Sequence, residues 1–563
     1  MTKTIPFLLF TSAIGTLLLA QPSITDGGIV NAASYASPAN PNGGIAQGSM
    51  FIVFGTGIGP ASLAQVSSYP LPTTLGGTSI RITSGSTTVN AFMIYTLAGQ
   101  VAAILPSNTP VGNASITLTY NGQTSAARTF KVVSSSFGTF SRNQQGTGPG
   151  IFQNVNSGTD QPVNSFVVPA KPGQPIIMWG TGLGPAPGNE AGGPIPGDLT
   201  AIPVEVYVGG KLAAVTYRGR SGCCSGIDQV VFTVPDGVEG CNVPVAIRAG
   251  GVTSSFTTIA VSKTAGNCSS FASGTADDLA IAQRTGSYRR GTVTLNTTSL
   301  KIDTGIPGFG SLNVKSETGS GGFTKSTLDQ VLASSSTQDL TPGSCIVLPT
   351  LGASLPVDNV LGSSMDAGAV INVNGPGGAK TLKKTSAGGV IAYSETFVDP
   401  TSGLGIPGLP GGNTTSYLVP GTYRIDNGSG GADVGAFSGQ LTVPTALTWT
   451  NEGSIVNVNR SNNLTVTWTG GSSDSTVIII GFSAITDKSG AAFECLAQGN
   501  PGTFTVPSWV LSALPQTLTG GLGSFNGLMA IGLTSPPVKF NASGLDFGAL
   551  LYLSLSGKSV NFQ

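Results

Sequence analysis

Histidine is missing from this chain altogether, at none in 563 residues. That absence removes the commonest general base and the commonest metal ligand, and it excludes hydrolysis by a Ser-His-Asp set. Charge is scarce as well. Lys and Arg total 25, Asp and Glu total 25, and charged residues make up 9%, against about 25% in an ordinary soluble domain. With a formal net charge of zero and no basic stripe, nucleic acid is not an expected partner, because phosphate contacts need concentrated Lys and Arg. Past the N-terminus no uninterrupted apolar run reaches the ~18 residues of a spanning helix, so no membrane span is expected after signal cleavage.

What is present points to strands and turns. Gly (82) and Pro (36) are abundant, and hydrophobic residues at 39% suffice to build cores. The length allows about three or four domains. Residues 1–20 read as a secretory signal. Lys3 supplies the positive start, Phe7 to Phe10 and Leu17 to Leu19 the apolar stretch, and Ala20 the small residue at the cut. Export to the cell surface or the exterior is therefore expected.

The six cysteines fit that destination. Cys223, Cys224, Cys241 and Cys268 cluster, while Cys345 and Cys495 lie far downstream. An even count in an oxidising compartment favours disulfides over a zinc site, which would want His or a CxxC pair. Neighbouring cysteines do not bond easily through a trans peptide, so Cys223 and Cys224 are each expected to reach Cys241 or Cys268. The individual pairing is not readable.

A repeat sets the architecture. Gly48 to Ala61 carries an apolar strand followed by Gly-Thr-Gly-x-Gly-Pro-Ala, and Gly173 to Ala186 carries it again, 125 residues on. Gln100-Val101 before Pro106 matches Gln229-Val230 before Pro235. Tyr95 precedes its Gln more closely than Tyr217 does, so the second copy holds a longer loop, the one with Cys223 and Cys224. Alternating runs such as Ser115 to Tyr120, then Asn121-Gly122, then Thr129 to Val132 are strand–turn–strand signals. A Gly250-Gly251 turn stands in the corresponding place of the second copy. The Gly-Thr-Gly motif is followed by Pro60 and Pro185, opens no helix pattern and has the wrong spacing for a dinucleotide fingerprint, so it reads as a positive-φ turn. Two immunoglobulin-like β-sandwiches follow, over 24–135 and 148–263.

Val30-Asn31-Ala32-Ala33-Ser34-Tyr35, Phe54 to Pro60, Leu71 to Thr78, Ala98-Gly99-Gln100 and Ser221 to Gln229 resemble the paired domains of secreted acidobacterial, Solibacter-type proteins. Those domains are similar to IPT/TIG modules. The resemblance covers about residues 27 to 263. It implies an exported immunoglobulin-like architecture and brings no catalytic residues.

After a small-residue linker (264–275) and a short helical stretch around Asp277 to Arg284, strand signals return. Leu464 to Trp468 alternates and Val477 to Ile480 is continuous, the mark of a central strand. Two further β-rich units are expected, 276–444 and 445–563, with Cys345 and Cys495 bridging them unless the boundary lies elsewhere. The whole chain is thus expected to be all-β.

No constellation stands out as catalytic, and neither a cofactor-binding nor an established metal-binding set is evident. Asp426 and Asp433 on a Gly-rich loop are a candidate calcium pair, and the same residues read as an Asp-Asn-Gly turn. Lys380, Lys383 and Lys384 read as a solvated hairpin face. Trp449, Trp468 and Trp509 lie on the last unit, where they read as core before sugar platform. The function expected is a non-enzymatic binding, adhesion or spacer module that meets polysaccharide or another surface protein. The alternatives are a carbohydrate-active enzyme, with a carboxylate pair in the C-terminal half, and a structural component of an outer layer.

Overall fold

A computed structural model describes residues 21–264, 266–269, 276–303, 311–334, 340–350, 362–400, 415–486, 489–518 and 527–563. The signal reading of 1–20 and most of the 264–275 linker lie outside the described residues. The chain is all-β, with three short α-helices among the described residues, at Ala276–Thr285, Leu328–Ala333 and Ser508–Leu511. No helix among the described residues is long and apolar enough to cross a membrane.

Each repeat is a two-sheet sandwich. In the first, Met50–Thr56 pairs antiparallel with Ser23–Asn31 and Gln100–Ile104, and a second sheet is built on Gly112–Tyr120. Alternation puts Ile116 and Leu118 inside with Phe51, Val53 and Ile80, all essentially without exposure. In the second, Pro175–Thr181 pairs with Asp228–Thr233 exactly as the offset requires in type, antiparallel, and Val206, Val230, Phe232 and Ile247 fill the core. Its first strands, Gly138–Thr139 and Phe152–Asn154, also lie on Pro175–Thr181, so this sandwich begins before the expected residue 148.

The C-terminal half departs from expectation. One sheet of 14 strands among the described residues runs across residue 444. Ser287–Asp303 pairs antiparallel with Ser311–Thr327 on one side and parallel with Phe547–Ser559 on the other. A division into separate units at 444 is therefore wrong. The reason is physical: the parallel rung Thr294↔Leu551 joins residues from the two ends of this half, and local periodicity carries no record of such a partner. The sheet serves two cores. One gathers Val293, Leu295, Tyr393, Tyr423, Leu441 and Leu550, with Phe437 stacked on Phe540 at 4.2 Å. The other gathers Val477, Ile479, Phe493, Val510 and Met529 beneath a small three-stranded sheet.

The disulfides reflect this layout. Cys345 and Cys495 face each other on adjacent strands of the one sheet. Cys241 bonds Cys268, tying the second sandwich to the segment that leads into the C-terminal half. Cys223 and Cys224 are not in disulfides and are exposed, so the expectation that they reach Cys241 or Cys268 is overturned: those two satisfy each other.

Candidate functional site

The Gly-Thr-Gly turns are turns, as their chemistry demands. Gly57 and Gly182 sit at φ 64° and 105°, where a β-carbon is disfavoured. The turn of the second repeat does more than reverse the chain. The N–H groups of Gly182 and Leu183 donate to one oxygen of Asp228 at 2.7 and 2.8 Å. Asp228 is fully buried and is paired with the buried guanidinium of Arg220, which also donates to the Gly184 carbonyl at 2.5 Å. Burial pushes the Asp228 carboxyl upward, against the pull of Arg220 and of the Leu183 and Gly182 N–H groups.

Around this pair the two repeats dock. Ser107 of the first donates to the buried Glu190 of the second, and the Thr181 hydroxyl accepts from the Met50 N–H at 2.9 Å and donates to the Gly226 carbonyl. Gly48, at φ 70°, lies where a side chain would strike Arg220, Ser107 and Glu190. The insertion Ser221–Ile227, expected to be held by disulfides, is held by hydrogen bonds instead. Ser225 donates from its N–H to the Tyr69 hydroxyl at 3.1 Å and from its own hydroxyl to the Glu190 carbonyl at 2.8 Å.

The second repeat is also seated on the C-terminal half. Trp509 stacks on Tyr207 at 4.2 Å and on Phe256 at 5.8 Å. Trp449 and Trp468 are 6% and 3% exposed, within the core. The three tryptophans thus pack, as the core reading has it, and none of them forms a ring platform for a sugar.

The described residues also line two depressions. A cleft of 910 Å³ opens between the first repeat and the C-terminal sheet. Its lining is rich in hydroxyl and amide groups, including Thr25, Ser37, Asn40, Thr129 and Ser489, with the ring of Tyr35. The Ser489 hydroxyl reaches Ser37 at 3.0 Å across it. Its charged lining residues, Asp26 and Arg128, are 3.9 Å apart. The second depression is an apolar groove of 400 Å³ over the sheet, with Ile478, Ile480, Leu496 and Leu551 in its lining. Glu494 and Asp474 are its acids. Glu494 stands opposite Ile480, and four residues of strand, about 13 Å, separate that rung from Thr476 with Asp474 beyond it.

The other sequence candidates are engaged by protein partners. Asp426 accepts from the Asn372 amide at 2.8 Å and the Gly428 N–H at 3.1 Å, and Arg424 lies 3.5 Å away. Asp433 accepts from the Asp366 N–H at 2.8 Å. Between them Asn427 donates to the Ala367 and Gly435 carbonyls and accepts from the Phe437 N–H. Lys383 and Lys384 pair with Glu395 and Asp366, and Lys380 lies 6.0 Å over the Tyr417 ring.

Sequence reasoning missed three features: the Arg220–Asp228 pair, the Tyr207–Trp509–Phe256 stack and the hydroxyl-lined cleft. A signal existed for the first. Asp228 occupies the place that Gly99 holds in the first repeat, immediately before the matching Gln.

No family model matches the chain. No curated protein matches it either. Among solved structures, the plexin A4 extracellular region aligns at 11% identity and TM-score 0.15, over 43% of this chain and 18% of its own. Domains 5–6 of the S-layer protein SbsC align at 10% and 0.16, over 43% and 99%, and the titin I-band fragment I67–I69 at 7% and 0.10, over 71% and 96%. At such TM-scores these likenesses carry no weight, and the fold rests on the strand pairing described above.

Proposed function

We propose that the chain is an exported, non-enzymatic β-sandwich module of the IPT/TIG kind that binds neutral polysaccharide at the cell surface or outside the cell. The observation that carries this reading is the cleft between the first repeat and the C-terminal sheet. Hydroxyls and amides match the alternating donors and acceptors of a sugar chain, Tyr35 offers a ring with an apolar body and a polar tip, and the 910 Å³ volume suits several ring-sized groups. The near absence of net charge supports a neutral ligand over an anionic one. Export draws support from the two disulfides.

The test incubates residues 21–563 with insoluble polysaccharides and cell walls, and reads protein depletion and released reducing ends from the same tubes. Depletion without release, weakened at least several-fold by Tyr35→Ala and by Thr129→Arg, is the expected result. Released reducing ends would overturn the reading in favour of a carbohydrate-active enzyme. Absence of depletion from every surface would leave a structural layer component as the better account.

A further inference from the structure

The insertion that distinguishes the second repeat carries two adjacent thiols, Cys223 and Cys224, and no described disulfide uses them. Cys241 is closed with Cys268 and Cys345 with Cys495, so of six cysteines Cys223 and Cys224 have only each other within the chain. They are already in contact, since the Cys224 thiol is hydrogen-bonded to Cys223. The Ser221 hydroxyl donates to the Cys223 sulfur at 3.1 Å, and the Cys223 N–H donates back to the Ser221 oxygen at 3.0 Å. Both cysteines are exposed, while the residues around them are fixed: Ser221 is 1% exposed and Ser225 is held by Tyr69 and Glu190.

We propose that Cys223 and Cys224 are a thiol–disulfide exchange site that closes into a vicinal disulfide on the loop clamping the second repeat to the first. The co-reactant is an external disulfide of the oxidising compartment, on a small molecule or a protein. The Cys223 sulfur gives up its proton and attacks one sulfur of that disulfide, forming a mixed disulfide and releasing one thiol. The Cys224 sulfur then gives up its proton and attacks the Cys223 sulfur, releasing the second thiol. Two S–H bonds and the external S–S bond are exchanged for two released thiols and the Cys223–Cys224 bond, so the loop is oxidised and the external disulfide is reduced.

The direction of attack follows from the surroundings. Burial and the bond to Cys223 push the Cys224 thiol up to about 11, which keeps its proton in place until the first step is complete. Adjacent α-carbons lie about 3.8 Å apart, closer than the ~4.4–6.8 Å of ordinary disulfides. The ring lies on exposed residues, whereas Cys241, Cys268, Cys345 and Cys495 are buried, so a reductant reaches it before the two buried bonds, which gives the junction between repeats a redox-sensitive element.

The experiment uses the full exported chain, alkylated under denaturing, non-reducing conditions, with intact mass and peptide mapping as readouts. Expected are no alkylated thiols and a peptide holding Cys223 and Cys224 that is lighter by two hydrogen masses and joined to no other peptide. Mild reductant should then free these two thiols alone, and hydrogen exchange at the Tyr69 and Ser225 amides should rise several-fold. Two alkylated thiols after incubation with glutathione disulfide would overturn the proposal, as would a link to Cys241, to Cys268 or to a second chain. The Cys223→Ser variant separates the effects: it should leave one alkylatable thiol and abolish the reductant-dependent change, and persistence of that change would overturn the link to repeat docking.

Discussion

The two repeats solve the same turn in different ways. In the first, the Ile58 N–H donates to the Ala98 carbonyl at 3.0 Å and the Gly55 N–H to the Gly99 carbonyl at 3.1 Å. Backbone meets backbone, and Gly99 itself is exposed. In the second, the matching Leu183 N–H goes to the carboxylate of Asp228, a buried charge that needs the buried Arg220 beside it. The two connections differ in length: residues 97–99 suffice in the first repeat, whereas 221–227 intervene in the second. The longer connection reaches across to Tyr69 and Glu190. The lesson concerns position in the assembly. A turn facing solvent can leave its remaining polar needs to water, whereas a turn pressed between two sandwiches must satisfy them from the protein.

The largest effect should come from breaking that difference at its centre. Asp228→Ala leaves Arg220 buried without its counter-ion and two N–H groups without an acceptor. A loss of about 3–5 kcal/mol is expected, read as a lower denaturant midpoint for the second repeat by tryptophan emission from Trp179. A loss below about 1 kcal/mol would mean that the pair contributes little to this turn. Next in size is Trp509→Ala, which removes the ring between Tyr207 and Phe256. A cost of about 3 kcal/mol is expected. Hydrogen exchange should accelerate around Tyr207 and Phe256 and stay unchanged in the strand Gly112–Tyr120 of the first repeat, which the stack does not touch. Equal acceleration in both repeats would show that they unfold as one unit.

How much of this was legible depended on whether the partner lay nearby in sequence. The Gly-Thr-Gly turns, the Asn121-Gly122 and Gly250-Gly251 hairpins, the helix at Ala276–Thr285 and the central strand through Val477 were readable, because each is set by residues within one short window. The distant bond Cys345–Cys495 was expected from the two cysteines that lie outside the cluster, whereas the rung Thr294↔Leu551 joins equally distant residues and its partner leaves no local trace. The cleft was illegible for the same reason, since Tyr35 and Ser489 come from opposite ends of the chain. The pairing of Arg220 with Asp228 fell between these cases. Two opposite charges stand together in a chain with 9% charged residues, and comparison with Gly99 marks the acid as an addition.

Acid sharpens the comparison by sparing one part of the molecule. Between residues 24 and 135 the one acidic side chain is Asp26, 97% exposed, so nothing there couples folding to carboxyl titration strongly. The C-terminal half differs. Burial works against the charge on Glu317, but donors from Ser416, the Leu418 and Tyr417 N–H groups and Lys315 outweigh it and hold the carboxyl below its usual range. Asp366 is likewise held low, chiefly by Lys384 and the Gly368 N–H. A carboxyl whose value is lowered by folding stabilises fully above its unfolded value, and that stability is lost as pH falls through the folded one. Acid below the ordinary carboxyl range should therefore open the C-terminal sheet before the first repeat, as exchange rates at Tyr417 and Leu418 would report. Earlier opening of the first repeat would contradict the assignment.

The smallest test exchanges the hairpins. Asn121-Gly122 has φ 47° and 81°, and Gly250-Gly251 has 57° and 84°, so the two turns share one backbone shape. Asn tolerates that shape, and on turn chemistry alone Gly250→Asn should be neutral or slightly stabilising by restricting the unfolded chain. The surroundings reverse this. A β-carbon on Gly250 would lie 2.8 Å from the β-carbon of Ser135, in the segment between the strands Arg128–Val133 and Gly138–Thr139 that joins the repeats, and neither atom is the free end of a flexible chain. Gly250→Asn should cost about 1 kcal/mol, while Asn121→Gly, on an exposed turn with open space at Gly122, should change stability by a few tenths, about 0.5 kcal/mol at most. Equal effects in thermal or denaturant melts would mean that the turn alone sets the residue. An unequal pair, with the second repeat the more sensitive, would show that packing between repeats chose glycine where the isolated hairpin would accept asparagine.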